Sequence, residues 1–183
     1  MRIISGESRG RKISHDRSGD LRPTSARVRE AVFDIIQPYI EGARFLDLFA
    51  GTGAVGIEAA SRGADNVTFV EISGRRADKL KKVADSFGMK DKVRIIKGEA
   101  VAFLRSHDES VYDIIFADPP YKYRYINELV EIIYNKGILR RGGILIIEHD
   151  ARKKLTDVTG DLIMEKAYRY GDSTITKYRR MDE

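Results

Sequence analysis

Asp113-Ile114-Ile115-Phe116-Ala117-Asp118-Pro119-Pro120-Tyr121 is a short apolar run opened by one carboxylate, closed by another and followed directly by two prolines. An apolar run of this length between such boundaries reads as a strand buried on both faces, the pattern of a central strand in a parallel sheet covered by helices. The prolines lack an amide hydrogen and stop the ladder, and Pro119 also holds Asp118 in an extended backbone. The Asp118 carboxylate, the Pro-Pro carbonyls and the Tyr121 ring therefore emerge together at the carboxyl edge of the sheet, where open α/β sheets bind ligands.

Upstream, Arg44-Phe45-Leu46-Asp47-Leu48-Phe49-Ala50-Gly51-Thr52-Gly53-Ala54-Val55-Gly56 reads as strand, glycine turn and helix. Glycines let the backbone approach a ligand closely, and a helix N-terminus behind them favours polar or anionic groups. Gly51, Gly53 and Gly56 satisfy the spacing of a dinucleotide fingerprint. Asp47 points to a different ligand, because a carboxylate on the strand before the turn attracts a cationic amino group and repels a pyrophosphate. The second strand, Asn66 to Val70, ends in Glu71 and Ile72, about twenty residues past the first turn glycine, the spacing at which an acid reaches ribose hydroxyls and a neighbour packs on adenine. Ser73 caps a helix over 74–86 whose lysine and arginine run reads as a solvated face, and Val93–Ile96 forms the third strand. Gly98, Glu99 and Ala100 follow, leading into a short helix with Val101, Phe103 and Leu104.

The exocyclic amine of a nucleobase attacks poorly because its lone pair is delocalised into the ring. Acceptors that hold its hydrogens favour pyramidal geometry. Asp118 and the Pro119 carbonyl are such acceptors, and Tyr121 offers a face for a flipped base, a contact of roughly 1–3 kcal/mol. Tyr123, Arg124 and Tyr125 sit beside this run, either on a loop that grips RNA or in the first turn of a helix over 123–135.

The first forty residues carry a second pattern. Met1 to Ile13 contains two short apolar pieces around a glycine-flanked turn, read as a small β-hairpin, with Arg9, Arg11 and Lys12 on its loop and second strand. Arg22, Arg27 and Arg29 follow, so positive charge collects here, and clustering beside a nucleotide-modifying site favours phosphate contact. Val28, Val32, Ile35 and Ile36 recur at helical spacing from a Thr24 or Ser25 cap, predicting an amphipathic helix over 25–37 that ends near Pro38, with Arg27 and Arg29 on its polar face. At the other end, Ile144–Glu148 is the fifth strand, with Gly142 and Gly143 before it. Too few residues follow for a full crossover helix, and Leu162–Tyr170 and Ser173–Tyr178 face each other across Gly171-Asp172 as a hairpin. A terminal antiparallel hairpin distinguishes methyltransferase sheets from the parallel sheets of dinucleotide enzymes.

At 183 residues and 42% hydrophobic content, the chain is long enough for one domain with its own core: an extension over 1–40 and a Rossmann-like core over 41–183. There are no cysteines, which excludes disulfides and thiolate metal sites, and His15 and His107 have no companions at metal-ligand spacing, so no metal is expected. No apolar run approaches a membrane span and no signal-peptide pattern opens the chain, so a cytoplasmic location is expected. A net charge of +5 suits a polyanionic partner.

In order, the Gly-x-x-Arg-Gly-Arg-Lys segment ending at Lys12, the Arg22-Pro-Thr-x-x-Arg-Val-Arg-Glu segment, the Asp47 glycine turn, Glu71 and Asp118-Pro119-Pro120-Tyr121 closely resemble the RsmD family, bacterial methyltransferases that modify the N2 amine of a guanine in 16S ribosomal RNA. The resemblance covers nearly the whole chain. It implies a Rossmann-like class I fold: a mostly parallel seven-stranded sheet with helices on both faces, an antiparallel C-terminal hairpin and a small N-terminal β-hairpin. It implies S-adenosyl-L-methionine as cofactor, held by Asp47, Phe49, Gly51, Thr52, Gly53, Glu71, Ile72, Glu99, Ala100 and Asp118. Phe49 stands where many members have glycine, and Glu99 where Asp is usual. Asp118, Pro119, Pro120 and Tyr121 are then catalytic, and the substrate is 16S RNA in the small ribosomal subunit, with no obligate protein partner evident. The residues also admit an amino-methyltransferase for another RNA or for DNA, an NAD-dependent oxidoreductase, or an RNA-binding protein without catalysis. Intact Asp47, Glu71 and Asp118 speak against the last.

Overall fold

The computed structural model describes residues 1–13, 25–106 and 112–182; Arg22, His15 and His107 lie outside them. Ser25 caps helix α1 (Ala26–Ile36), its hydroxyl accepting the Val28 amide hydrogen at 3.2 Å, and Pro38 turns the helix end into a 3-10 turn at Gln37–Tyr39. There follow β1 (Arg44–Asp47), α2 (Ala54–Ser61), β2 (Asn66–Glu71), α3 (Gly74–Ser86), β3 (Val93–Lys97), α4 (Ala100–Arg105), β4 (Tyr112–Ala117), α5 (Ile126–Asn135), β5 (Leu139–Asp150), β6 (Val158–Thr159), β7 (Leu162–Tyr170) and β8 (Ser173–Arg180). The strands form one sheet in the order β3-β2-β1-β4-β5-β8-β7-β6, parallel from β3 to β5 and antiparallel beyond.

Alternation along the strands divides the core into two layers. Phe45, Ile114, Phe116, Ile144, Ile146 and Ile175 point to one face, against apolar residues of α1, α2 and α3. Leu46, Ile115, Ala117, Leu145, Ile147 and Tyr178 point to the other, against α4 and α5. β4, between β1 and β5, is covered on both sides as its unbroken apolar run predicts.

Several expectations are corrected. Among the described residues the sheet has eight strands, because the two-residue β6 adds to the edge of β7 in the segment too short for a crossover helix. β5 begins before Gly142 and Gly143, which lie inside it at a register break opposite Tyr112 and Ile114; Gly142, at φ 68°, takes a backbone that other residues avoid. The N-terminal hairpin forms as read, with Arg2 bridged to Lys12 and the Ile3 and Ile13 amide hydrogens donated to the Arg11 and Met1 carbonyls, and it also docks on α2. Fully buried Glu58 accepts the backbone N–H groups of Ile4 at 2.8 Å and Ser5 at 2.9 Å, and Ser61 accepts the Ser8 amide hydrogen at 2.9 Å. The terminal hairpin forms as read, with Gly171 at φ 62° in its two-residue turn.

Candidate active site

The chain leaves β1 toward β2 and β4 toward β5, in opposite directions across the sheet, so a crevice opens between the carboxyl ends of β1 and β4. Asp47 ends β1 in register with Phe116, two residues before Asp118. The glycine turn closes the crevice on one side, with Gly51 at φ 54° and Gly53 at φ 74°. Gly56 serves packing: a Cβ there would lie 2.2 Å from the Phe69 ring, so the glycine lets α2 settle onto β2.

Asp47 is 1% exposed. Its Oδ2 accepts the Gly56 amide hydrogen at 3.2 Å, and its buried Oδ1 has no hydrogen-bond partner among the described residues. Burial pushes the carboxyl up to about 7, with the charges of Asp118 and Glu71 adding to the shift and the Gly56 and Phe49 N–H groups opposing it. A buried acceptor without a donor is costly, and a cationic amino group placed there would relieve both the missing bond and the charge repulsion.

Glu71 is buried and heavily engaged. Its Oε2 accepts the Gly51 N–H at 2.8 Å, while Oε1 accepts the Ser73 N–H at 2.7 Å and pairs with Arg76 at 2.7 Å. It thus shapes the glycine turn. Ile72 beside it is 65% exposed, an apolar side chain left open where an aromatic ring is expected to pack. Glu99 caps α4, with Oε2 accepting the Ala102 N–H at 2.8 Å, and Ala100 is buried in the first turn. Thr52 is half-buried in the glycine turn.

Past β4, Asp118 is half-buried, Pro119 buried, and Pro120 and Tyr121 exposed. The Tyr123 amide hydrogen donates to the Pro120 carbonyl at 2.7 Å, closing a turn that projects the Tyr121 ring. Tyr123, Arg124 and Tyr125 lie on a loop, since α5 starts only at Ile126. Tyr123 packs inward against Phe49, and Tyr125 is 61% exposed.

The family model described as Conserved hypothetical protein 95, the RsmD family, matches residues 1–179. The chain is 31% identical over 180 residues to Ribosomal RNA small subunit methyltransferase D of Escherichia coli (strain K12), covering 98% of this chain and 90% of that protein. It is 36% identical over 153 residues to the protein of the same name from Buchnera aphidicola subsp. Acyrthosiphon pisum, covering 84% and 80%. This chain belongs to the RsmD family. The solved structure of Escherichia coli yhhF matches with a TM-score of 0.90 at 30% identity, over 100% of this chain and 99% of that one.

Among the described residues of this RsmD-family fold, the basic residues read from sequence do not form one cluster. α3 starts at the carboxyl edge and runs away from it, so its C-terminal end lies about 20 Å from its start at a 1.5 Å rise per residue. Arg11 docks at that far end, its guanidinium over the Phe87 ring at 4.0 Å and donating to the Ser86 and Phe87 carbonyls. The turn carrying Arg9 lies near the C-terminal end of α2, held by Ser61. Both are remote from Asp118, contrary to the clustering expected from sequence, because the hairpin folds down along the helices. Arg29 is 2% exposed and donates to the Arg2 carbonyl at 2.8 Å and to the Met1 sulfur. It anchors the N-terminal segment instead of pointing to solvent, because α1 buries the side of the helix on which Arg29 falls. Arg27 and Arg124 are exposed, and Arg27 lies 6.0 Å from the Tyr170 ring centroid, at the carboxyl edge.

Three further residues reach the site. β5 runs on past Ile147, the partner of Ala117, to Asp150, and the chain then turns over the Pro-Pro-Tyr loop. The Asp150 carboxylate accepts the Arg152 amide hydrogen at 2.9 Å and its Nη2 at 2.7 Å, which holds the carboxyl well below its ordinary range. Arg152 faces the Tyr121 ring at 5.8 Å, and Lys153 donates to the Tyr121 carbonyl at 3.1 Å and to the Tyr123 carbonyl. In sequence these look like any charged run at a strand end; only the overhang of β5 over β4 gives them a target.

Proposed function

We propose that this RsmD-family methyltransferase methylates the exocyclic N2 amine of a guanine in 16S ribosomal RNA, presented on the small ribosomal subunit in the cytoplasm. The observation that carries the reading is the buried Asp47 Oδ1, without a hydrogen-bond partner among the described residues, in the crevice that also receives the Asp118-Pro-Pro-Tyr121 loop.

S-adenosyl-L-methionine supplies a methyl group already activated by its sulfonium, so alignment is the protein's main task. Asp47 would hold the cofactor's amino group and Glu71 its ribose, with Gly51, Thr52 and Gly53 letting the backbone come close. Ile72 would pack on the adenine, Phe49 would wall that side of the crevice, and Glu99 with Ala100 would meet the adenine amine. A pyrophosphate set on the same turn would face Asp47, Glu71 and Asp118 together, which disfavours the dinucleotide reading. Asp118 and the Pro119 carbonyl hold the hydrogens of the target amine, Pro120 stiffens the turn, and Tyr121 takes the base on its ring. No strong base is required: the amine proton passes to solvent during or after attack, with Asp118 assisting by hydrogen bonding. Arg27, Arg124 and Tyr123 would meet RNA near the base. Arg9 and Lys12, exposed on the far segment, would reach phosphates elsewhere on so large a substrate.

The test uses small subunits, free 16S RNA and DNA from a strain lacking the enzyme, incubated with radioactive methyl donor, with mapping of the modified nucleotide. Label at one guanine N2 in the subunit is expected. Label in DNA, or at another base, would overturn the assignment.

A further inference from the structure

We propose that Lys153 is a positioning residue for methyl transfer, fixing the backbone of the base-receiving loop from the end of β5. This rests on the methyltransferase reading above and adds a group that does not itself touch substrate or cofactor.

Lys153 is half-buried between the exposed Arg152 and Lys154. Its ammonium donates to two carbonyls of the same turn, those of Tyr121 and Tyr123, and a lysine with three donors can hold both at once. That turn is otherwise closed by the bond from the Tyr123 N–H to the Pro120 carbonyl. Lys153 is itself held from below: its amide hydrogen donates to the Asp150 carbonyl at 2.9 Å, and the Ala151 amide hydrogen donates to the Asp172 carbonyl at 2.8 Å. The strap is therefore tied to the turn of the β7–β8 hairpin. Alongside it, Arg152 is oriented by Asp150 and places Nη2 3.4 Å from the Tyr121 hydroxyl, with its guanidinium over the ring. Tyr121 is steadied from the strap side.

The loop bearing Asp118 and Tyr121 follows the end of β4 and contains two prolines, so the sheet no longer supports it. Without Lys153 the carbonyls of Tyr121 and Tyr123 lose their common donor and the turn gains freedom. Small misplacement of a reacting group costs roughly a hundredfold in rate.

Lys153→Met keeps the aliphatic stem and removes the donors. In single-turnover assays on small subunits with saturating cofactor, its methyl-transfer rate should fall about 10- to 100-fold, within the cost of misplacing a reacting group. Cofactor affinity and thermal midpoint should stay at wild-type values, and Lys153→Arg should recover most of the rate. Hydrogen exchange of peptides spanning residues 118–125, which needs no substrate, should be faster in Lys153→Met than in wild type. A wild-type transfer rate with unchanged exchange would overturn the proposal, as would loss of cofactor affinity or stability in step with the rate. If wild-type enzyme labels no small subunit while exchange in the loop still depends on Lys153, the functional reading fails and the strap stands.

Discussion

The Phe49 ring meets the Tyr123 ring edge-on, with centroids 5.5 Å apart and planes at 69°. This contact joins the glycine turn after β1 to the loop after β4, so the two walls of the crevice are packed against each other. Edge-to-face pairs contribute about 0.5–1.5 kcal/mol beyond their burial. A double-mutant cycle of Phe49→Leu and Tyr123→Leu, read by chemical denaturation, should show coupling of that size. Additive single effects would mean that the rings merely share a neighbourhood.

Asp47 should show opposed effects on stability and binding. Its carboxyl titrates near 3.8 in the unfolded chain and near 7 in the fold, so between these values the folded state binds more protons. Stability from this group therefore falls as pH rises from about 4 to about 7, and the penalty is complete above 7. Asp47→Asn should raise the thermal midpoint of the cofactor-free protein at pH 8, with the smallest gain near pH 4, and should weaken cofactor binding. In wild type, calorimetric affinity for the cofactor should decline as pH is lowered through 7, because a protonated Asp47 no longer attracts an ammonium group. An Asn variant that binds cofactor normally would remove Asp47 from the site.

Asp118 and Tyr121 are expected to fail differently. Asp118→Ala removes an acceptor for the amine hydrogens, and single-turnover methyl transfer should fall at least about a hundredfold, the scale of one aligned transition-state hydrogen bond. Tyr121→Ala should chiefly weaken capture of the base. Tyr121→Phe keeps the stacking face and loses a 3.4 Å contact with Arg152, so most activity should remain. Equal inactivity of Tyr121→Phe and Asp118→Ala would make the hydroxyl the essential feature.

Two kinds of arginine should separate by salt dependence. Arg124→Ala and Arg9→Ala should each lower the salt slope of association with small subunits by about one unit, as for a lost phosphate contact. Arg11→Ala should leave the slope unchanged and destabilise the protein by about 0.5–1 kcal/mol, the worth of an exposed cation–π contact. A slope change in Arg11→Ala without a stability change would reverse the two assignments.

Local chemistry made much of this protein legible from residue order alone. The apolar run into Asp118 marked the central strand, the glycine turn marked the end of β1, and Ser25, Ser73 and Gly171-Asp172 marked helix starts and the terminal hairpin, because caps, turns and burial periodicity act over a few residues. Tertiary structure alone decided the rest. Arg29 looks like its exposed neighbours until helix orientation turns it into the core, and Arg11 looks close to the site until the antiparallel course of α3 carries its docking point to the far edge. Glu71 reads as a ribose ligand, yet the folded chain also engages it with Gly51, Ser73 and Arg76, a role set by contacts across a turn. Lys153 acquires its partners only because β5 outruns β4 in the sheet, and strand overhang depends on register between segments that residue order leaves unpaired.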